Sequence, residues 1–273
     1  MPAFSHLFSS ALTQELGDGD STRLFTTGRR QDAVNRGLLE FADLTECFLR
    51  QSTIALVSGT REYNLLSTTN IPGNDYLRLS GKSLPEYVFT NDTGKITRLT
   101  GLDDFPFRSI GWLNQNDPGW RDSTGDVPSA YYERFDGGRR FFGLDRPAVF
   151  DSSETANIVL PYVARPQTMS DDTHVPFFIA STAAGASTGI RTDLEPYHQA
   201  SVHYAAYELE KLRLNTEAVQ TQWQLFVNYV QRFMSAGRPK GGTQLRFGRS
   251  YFTDARAKRW TDNDGAKAYP WPT

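Results

Sequence analysis

The spacing of apolar residues changes character along this chain, and the changes divide it into parts. Between Arg30 and Leu49, residues Val34, Leu38, Phe41, Thr45 and Phe48 recur at steps of three and four, which is one face of an amphipathic helix. A shorter helix is expected earlier, in SSALTQEL, with Ser10 as its cap and the following GDGD as its stop. From Thr53 the period shortens: TIALVSGTREYNL alternates and breaks at Ser58-Gly59, which reads as a strand, a turn and a second strand. Further strand-like runs are DYLRLS, EYVFTNDTGKITRLT, SAYYERFDGGRRFFGL and ANIVLPYVA. Asp136-Gly137-Gly138 marks a hairpin, because adjacent glycines accept the positive φ of a tight turn. No helical pattern separates these runs, so an antiparallel sandwich or barrel is expected over residues 53–165.

Residues 166–192 form a long connection with a Gly/Ala/Ser/Thr-rich centre, including GASTG, and are expected to be a loop or projecting arm. The helical period then returns. Asp193 is the expected cap and Pro196 sits in the first turn of a helix carrying Tyr197, Ser201, Tyr204, Ala205, Glu208, Leu209 and Leu212. Asn215-Thr216 interrupts it, and a second helix places Val219, Trp223, Phe226, Val230 and Phe233 on one stripe before Gly237. So short a break predicts an antiparallel pair. The expected fold is therefore α+β: a helical bundle made of residues 1–52 and 193–236, an inserted antiparallel β domain at 53–165, and an extended C-terminal arm at 237–273.

That arm has rings without a period. Phe247, Tyr251, Phe252, Trp260, Tyr269 and Trp271 are large, yet no apolar residue recurs around them at helix or strand spacing, so they are expected to be buried by something other than their own domain. Charge sharpens the contrast. The whole chain is −2, but from Gly237 onward eight Lys/Arg face three Asp/Glu, leaving 21 against 28 in residues 1–236. A basic arm leaves an acidic body.

With 273 residues, 38% hydrophobic and 13% aromatic, the chain can bury a substantial core. No run approaches the roughly 18 apolar residues of a membrane span, and the first twenty residues lack signal-peptide features, so synthesis in the cytoplasm and no membrane partner are expected. Cys47, the sole cysteine, reads as a small buried residue inside the first long helix. Catalytic patterns are scarce: no phosphate-cradling glycine loop, no nucleophile elbow and no HExxH occurs. His198 and His203 are five apart on one helix and do not share a face, while Asp171-Asp172 with His174 reads as a turn. No cofactor, no metal and no enzyme activity are expected, although a carboxylate pair without fixed spacing leaves no sequence trace.

The ordered set VNRGLLEFADLT, TIALVSGTREYNL, VPSAYYERFDGGRRFFGLDRPA, VLPYVARPQTMSDD and LEPYHQASVHYAAYELEKL resembles the head-to-tail adaptor, or connector, proteins of tailed bacteriophages over roughly residues 10–235. The resemblance implies a virion protein at the head-tail junction. It further implies a homo-oligomeric ring, commonly of twelve copies, that sits beneath the portal protein, meets tail nozzle or tube proteins and extends the channel through which double-stranded DNA passes. In that setting Arg246, Phe247, Tyr251, Phe252, Arg256, Arg259, Trp260 and Trp271 are the expected docking residues for the portal or a neighbouring subunit. Three other readings compete. A tail-tube or tail-completion ring protein shares these features; a carbohydrate-binding β domain would stack sugars on Trp112, Trp120 and Tyr131; and the basic aromatic arm would also suit DNA.

Overall fold

The computed structural model describes residues 3–17, 25–67, 69–71, 75–125, 127–171, 174–179, 189–190 and 192–236. The chain divides into two compact units, Met1–Gln231 and Arg232–Thr273, and the account below concerns the first unless stated.

The N-terminal helical stretch starts earlier than the sequence reading placed it. It runs as α1 (Phe4–His6), a π-helical turn (Leu7–Ala11) and α2 (Leu12–Glu15). Ser10 lies inside it rather than capping it, and the neighbouring Ser9 and Thr13 hydroxyls donate to the carbonyls of Ser5 and Ser9. Phe4, Leu7, Phe8, Ala11 and Leu12 are buried. Their steps of three, one, three and one mark the inward stripe.

Helix α3 (Thr27–Thr45) is capped by Thr26, whose hydroxyl accepts from the Arg29 amide at 3.3 Å. It stops four residues before the expected Leu49, because Glu46 turns left-handed at φ 53°. Cys47 accordingly sits in the turn after the helix, buried as expected. Strand β1 (Leu49–Ala55) begins at once, so the β region opens before Thr53.

The strands are antiparallel and form two main sheets. One has the order β1-β8-β4-β5, with β3 also paired to β8; the other has the order β2-β7-β6. Their members are β2 (Glu62–Asn64), β3 (Tyr76–Leu79), β4 (Glu86–Thr90), β5 (Ile96–Thr100), β6 (Tyr131–Asp136), β7 (Arg139–Leu144) and β8 (Thr155–Ala164). The two strands either side of Ser58-Gly59 thus pair with different partners, β1 with β8 and β2 with β7.

Strand β8 is central yet contains Pro161, which cannot donate to a ladder. The register explains why this is tolerated. On one flank β8 pairs with β1 throughout; on the other it pairs with β4 up to Val159 and with β3 from Tyr162. Pro161 falls at the changeover, where its carbonyl still accepts from the Ser80 amide at 3.2 Å.

Two short helices separate β5 from β6, against the expectation of uninterrupted strands: α4 (Gly101–Asp104) and α5 (Ile110–Asn116). Ser109 caps α5 through the Trp112 amide at 3.1 Å. Aromatic side chains join the sheets: Tyr87 lies 6.3 Å from Phe105, Phe105 lies 5.2 Å from Tyr131, and Tyr131 stacks on Phe142 at 5.3 Å. All four are essentially buried. Gly143 makes room for another ring, since a Cβ there would lie 2.1 Å from Tyr132 Cζ.

The connection at 166–192 is more structured than a free loop where it is described. Asn35 on α3 holds Met169 by both backbone groups at 2.9 Å, and Phe177 packs on Phe41 and Phe48. The pair β9 (Phe178–Ile179) and β10 (Gly189–Ile190) closes a small ladder.

A 3₁₀ turn (Thr192–Tyr197) containing Pro196 leads into α6 (His198–Arg213). Gly37 of α3 lets α6 approach: a Cβ there would lie 2.4 Å from the Ser201 carbonyl oxygen. Leu214, at φ 58°, ends α6 in a Schellman turn, with Leu214 N–H bonded to Lys211 and Asn215 N–H to Glu210. Helix α7 (Thr216–Ala236) follows, its start capped by the Asn215 side chain on the Ala218 amide.

Candidate docking surface

The eight residues expected to dock, Arg246, Phe247, Tyr251, Phe252, Arg256, Arg259, Trp260 and Trp271, lie outside the described residues. What is described is the helix pair that precedes them. Helices α6 and α7 meet through rings: Tyr207 on Trp223 at 4.9 Å, Tyr204 on Phe226 at 5.1 Å, and His203 stacked on Tyr229 at 5.6 Å. Partners ascend on one helix as they descend on the other, so the pair is antiparallel. His203 is buried there, and its Nδ1 lies 2.8 Å from Gln222 Oε1. Gln222 in turn donates to the Glu15 carboxylate at 3.0 Å, which ties α7 to α2. Arg213 reaches back to the Leu16 carbonyl at 3.1 Å and pairs with Glu210 at 2.9 Å. Burial pushes the Glu210 carboxyl above its usual value.

A second polar cluster fixes the end of α3 against the sheet. Glu46, whose side chain is fully buried, accepts from Arg78 Nη1 at 2.8 Å, from the Gly81 amide at 2.9 Å and from Ser80 Oγ at 3.2 Å. Arg78 also pairs with Asp43, and Lys82 donates to the Thr45 carbonyl at 2.6 Å. Burial lowers the Lys82 pKa, with the Glu46 charge opposing. Sequence periodicity carries no signal for this cluster, because its two halves, 43–46 and 78–82, are more than thirty residues apart.

On the three-stranded sheet, Tyr132 and Arg134 converge on Glu62 at 2.9 and 2.7 Å. Burial alone would raise the Glu62 carboxyl, but the hydrogen bonds from Arg134 and Tyr132 and the charges of Arg134 and Arg61 outweigh it and hold the pKa below the usual 4.5. These are positioning contacts for strands. Among the described residues no group of three or more His, Cys, Asp or Glu converges to hold a metal ion. His174 Nδ1 accepts from the backbone amides of Ser170 and Asp171, while Asp172 lies outside the described residues.

The three rings of the carbohydrate reading do not form a platform. Trp120 and Tyr131 are each 3% exposed, the first against Tyr132 and the second between Phe105 and Phe142. Trp112 alone reaches solvent, with the Arg108 guanidinium 4.3 Å over its ring. Phe135, at the tip of the β6–β7 hairpin, is 70% exposed. No helix among the described residues is long and apolar enough to cross a membrane.

The family model described as SU10 adaptor protein matches residues 4–248, and the chain belongs to that family of structural phage adaptors. The match includes Arg246 and Phe247 and stops before Tyr251, so most of the expected docking residues lie beyond it. No curated protein matches the chain.

Proposed function

We propose that this adaptor forms a closed ring of about twelve copies beneath the portal of a tailed phage, extends the channel for double-stranded DNA, and joins the tail. The observation that carries the reading is the family match over residues 4–248, nearly the whole chain. Two features of the sequence support it. The body is acidic, with 21 Lys/Arg against 28 Asp/Glu in residues 1–236, and an acidic wall lets phosphates pass where a basic one would grip them through counterion release. The arm at 237–273 is basic and aromatic, the composition that anchors interfaces through buried rings oriented by arginines.

In this reading the body is the helical bundle with its inserted β domain, and the arm docks on the portal or a neighbouring subunit through Phe247, Tyr251, Phe252, Trp260 and Trp271, steered by Arg246, Arg256 and Arg259. Its 36 residues from Arg238 span at most about 120 Å when extended, so its contact need not adjoin α7. Electron microscopy of the purified protein, alone and mixed with its portal, tests the reading. Rings stacked on portals are expected. Deletion of 238–273 should leave a folded body that no longer joins them. Rings that bind only the end of a tail tube would replace the portal reading with the tail-completion one, and full attachment without the arm would move docking to the body.

A further inference from the structure

A cleft of about 350 Å³ opens between α3 and the exit of β8, where Asp32, Arg36 and Leu39 face Arg165, Pro166 and Gln167. Its two sides are held together, because Asn35 of α3 binds both backbone groups of Met169. The charge of the cleft is opposite to that of the body. Two guanidiniums accompany one carboxylate in its lining, although residues 1–236 carry 21 Lys/Arg against 28 Asp/Glu. Neither guanidinium is firmly paired. Arg36 is 67% exposed and reaches Glu208 only at 3.7 Å, and Arg165 is exposed with no ion-pair partner among the described residues. Leu39 and Pro166 supply apolar surface beside them. Gln167 Oε1 is buried without a hydrogen-bond partner, an acceptor whose burial is costly until a donor reaches it.

The arm carries the converse inversion. It has eight Lys/Arg and three Asp/Glu, and two of those three acids, Asp262 and Asp264, follow directly on Trp260. We infer that residues 260–264 of one copy dock in this cleft of its neighbour in the ring. Charge and chemistry select that occupant. Asp262 and Asp264 answer Arg36 and Arg165, and Arg259 answers Asp32. The Trp260 ring covers Leu39 and Pro166, while its indole N–H supplies the donor that Gln167 lacks. A DNA phosphate would answer the guanidiniums but leave the apolar surface and the buried acceptor unserved. The rest of the arm is mainly basic and would set cations against cations. Length permits the crossing, since residues 237–260 span at most about 80 Å when extended. With one cleft and one such segment in each copy, head-to-tail docking fills every site of a closed ring.

This rests on the reading of a ring with a docking arm, and the test separates the two. Native mass spectrometry across a concentration series compares the full-length wild type with a cleft variant, Arg36→Glu with Arg165→Glu, and an arm variant, Asp262→Arg with Asp264→Arg. The quadruple variant and an equal mixture of the two double variants complete the set. Both cleft arginines are exposed and the arm variant leaves residues 1–236 unaltered, so circular dichroism and the unfolding midpoint should match the wild type. Each double variant alone should need at least about ten times the wild-type concentration to form the closed oligomer. The quadruple variant should recover assembly, and so should the mixture, because alternating copies then present Asp to Arg and Arg to Glu at every contact. A double variant that assembles like the wild type overturns the docking and leaves the ring intact. Double variants that both fail, with no recovery in the quadruple, overturn the pairing of cleft and segment. Recovery in the quadruple but not in the mixture places the contact within one chain and also overturns the inference. A wild type that stays monomeric at every concentration, and on its portal, overturns the ring reading and this inference with it.

Discussion

Replacing Glu46 by Gln isolates the junction between the helices and the β region, because the change is nearly isosteric and removes only charge and acceptor capacity. The carboxylate accepts from Arg78, from the Gly81 amide and from Ser80, and its side chain is fully buried. A Gln carbonyl can keep part of this set, but its NH₂ turns a donor toward a donor. Hydrogen bonds to charged groups contribute about 1.5–3 kcal/mol each, and breaking a buried pair costs about 3–5 kcal/mol. Arg78 keeps its pairing with Asp43 and a bond to the Leu79 carbonyl, so the loss should sit at the lower end, about 2–3 kcal/mol.

The backbone at the same site supplies a control. Glu46 has φ 53°, where a non-glycine residue costs about 1–2 kcal/mol. Glu46→Gly and Glu46→Ala both delete the carboxylate, yet the glycine variant should be the more stable by about 1 kcal/mol. Urea unfolding of the full chain at fixed protein concentration, followed by circular dichroism, measures all three variants. A Glu46→Gln protein within about 0.5 kcal/mol of wild type, the usual range for surface substitutions, would show that the cluster does not hold the junction.

Three further outcomes are expected. Gly143→Ala drives a Cβ into the buried Tyr132 ring, whose hydroxyl is held by Glu62, and should destabilise by about 1–3 kcal/mol in the same assay; full retention of stability would mean that the ring moves freely. Gly137→Val, at φ 54° in the β6–β7 turn, should cost about 1–2 kcal/mol, and an unchanged melting temperature would show the turn to be adaptable. Glu62 has a depressed pKa in the fold, so its contribution is present above the unfolded value near 4.5 and fades as pH falls through the lower folded value. The stability gap between wild type and Glu62→Gln should therefore shrink on acidification from pH 7 to below 4, and a gap that widens instead would reverse the sign of that coupling.

The long elements were legible because their residues obey one period. Val34, Leu38 and Phe41 mark α3, and Val219 and Phe226 mark α7; each is buried. The β6–β7 turn was legible because Gly137 and Gly138 adopt the positive φ that their sequence advertises. The boundaries were not. Glu46 ends α3 without a glycine, in a left-handed residue whose side chain pairs with Arg78 across the fold, so Phe48 and Leu49 continue the helical count while belonging to a turn and a strand. At the N-terminus the signal was present, since Phe4, Leu7, Phe8 and Leu12 already keep the helical spacing, but the Ser9-Ser10 pair imitates a cap. Helices α4 and α5 are too short to show an apolar repeat, and only Ser109 before Ile110 hints at a start. Of the candidate site, the arm at 237–273 is an expectation from composition and lies outside the described residues.

The placement of buried charge suggests what the fold must preserve. Replacing a buried ion pair by apolar residues is often neutral or stabilising, so the Arg78, Asp43 and Glu46 cluster is weak evidence for stability alone. It does fix geometry: α3 cannot slide or rotate against β3 and the 80–82 turn without stranding a guanidinium or a carboxylate, whereas an apolar contact would tolerate the shift. Gly37 at the crossing with α6 and Gln222 bridging to Glu15 restrain the helices with the same intolerance of displacement. In the proposed ring each subunit repeats the same angle at every contact, so a small internal rotation would accumulate around the circle and prevent closure. A junction built from directional bonds resists that rotation.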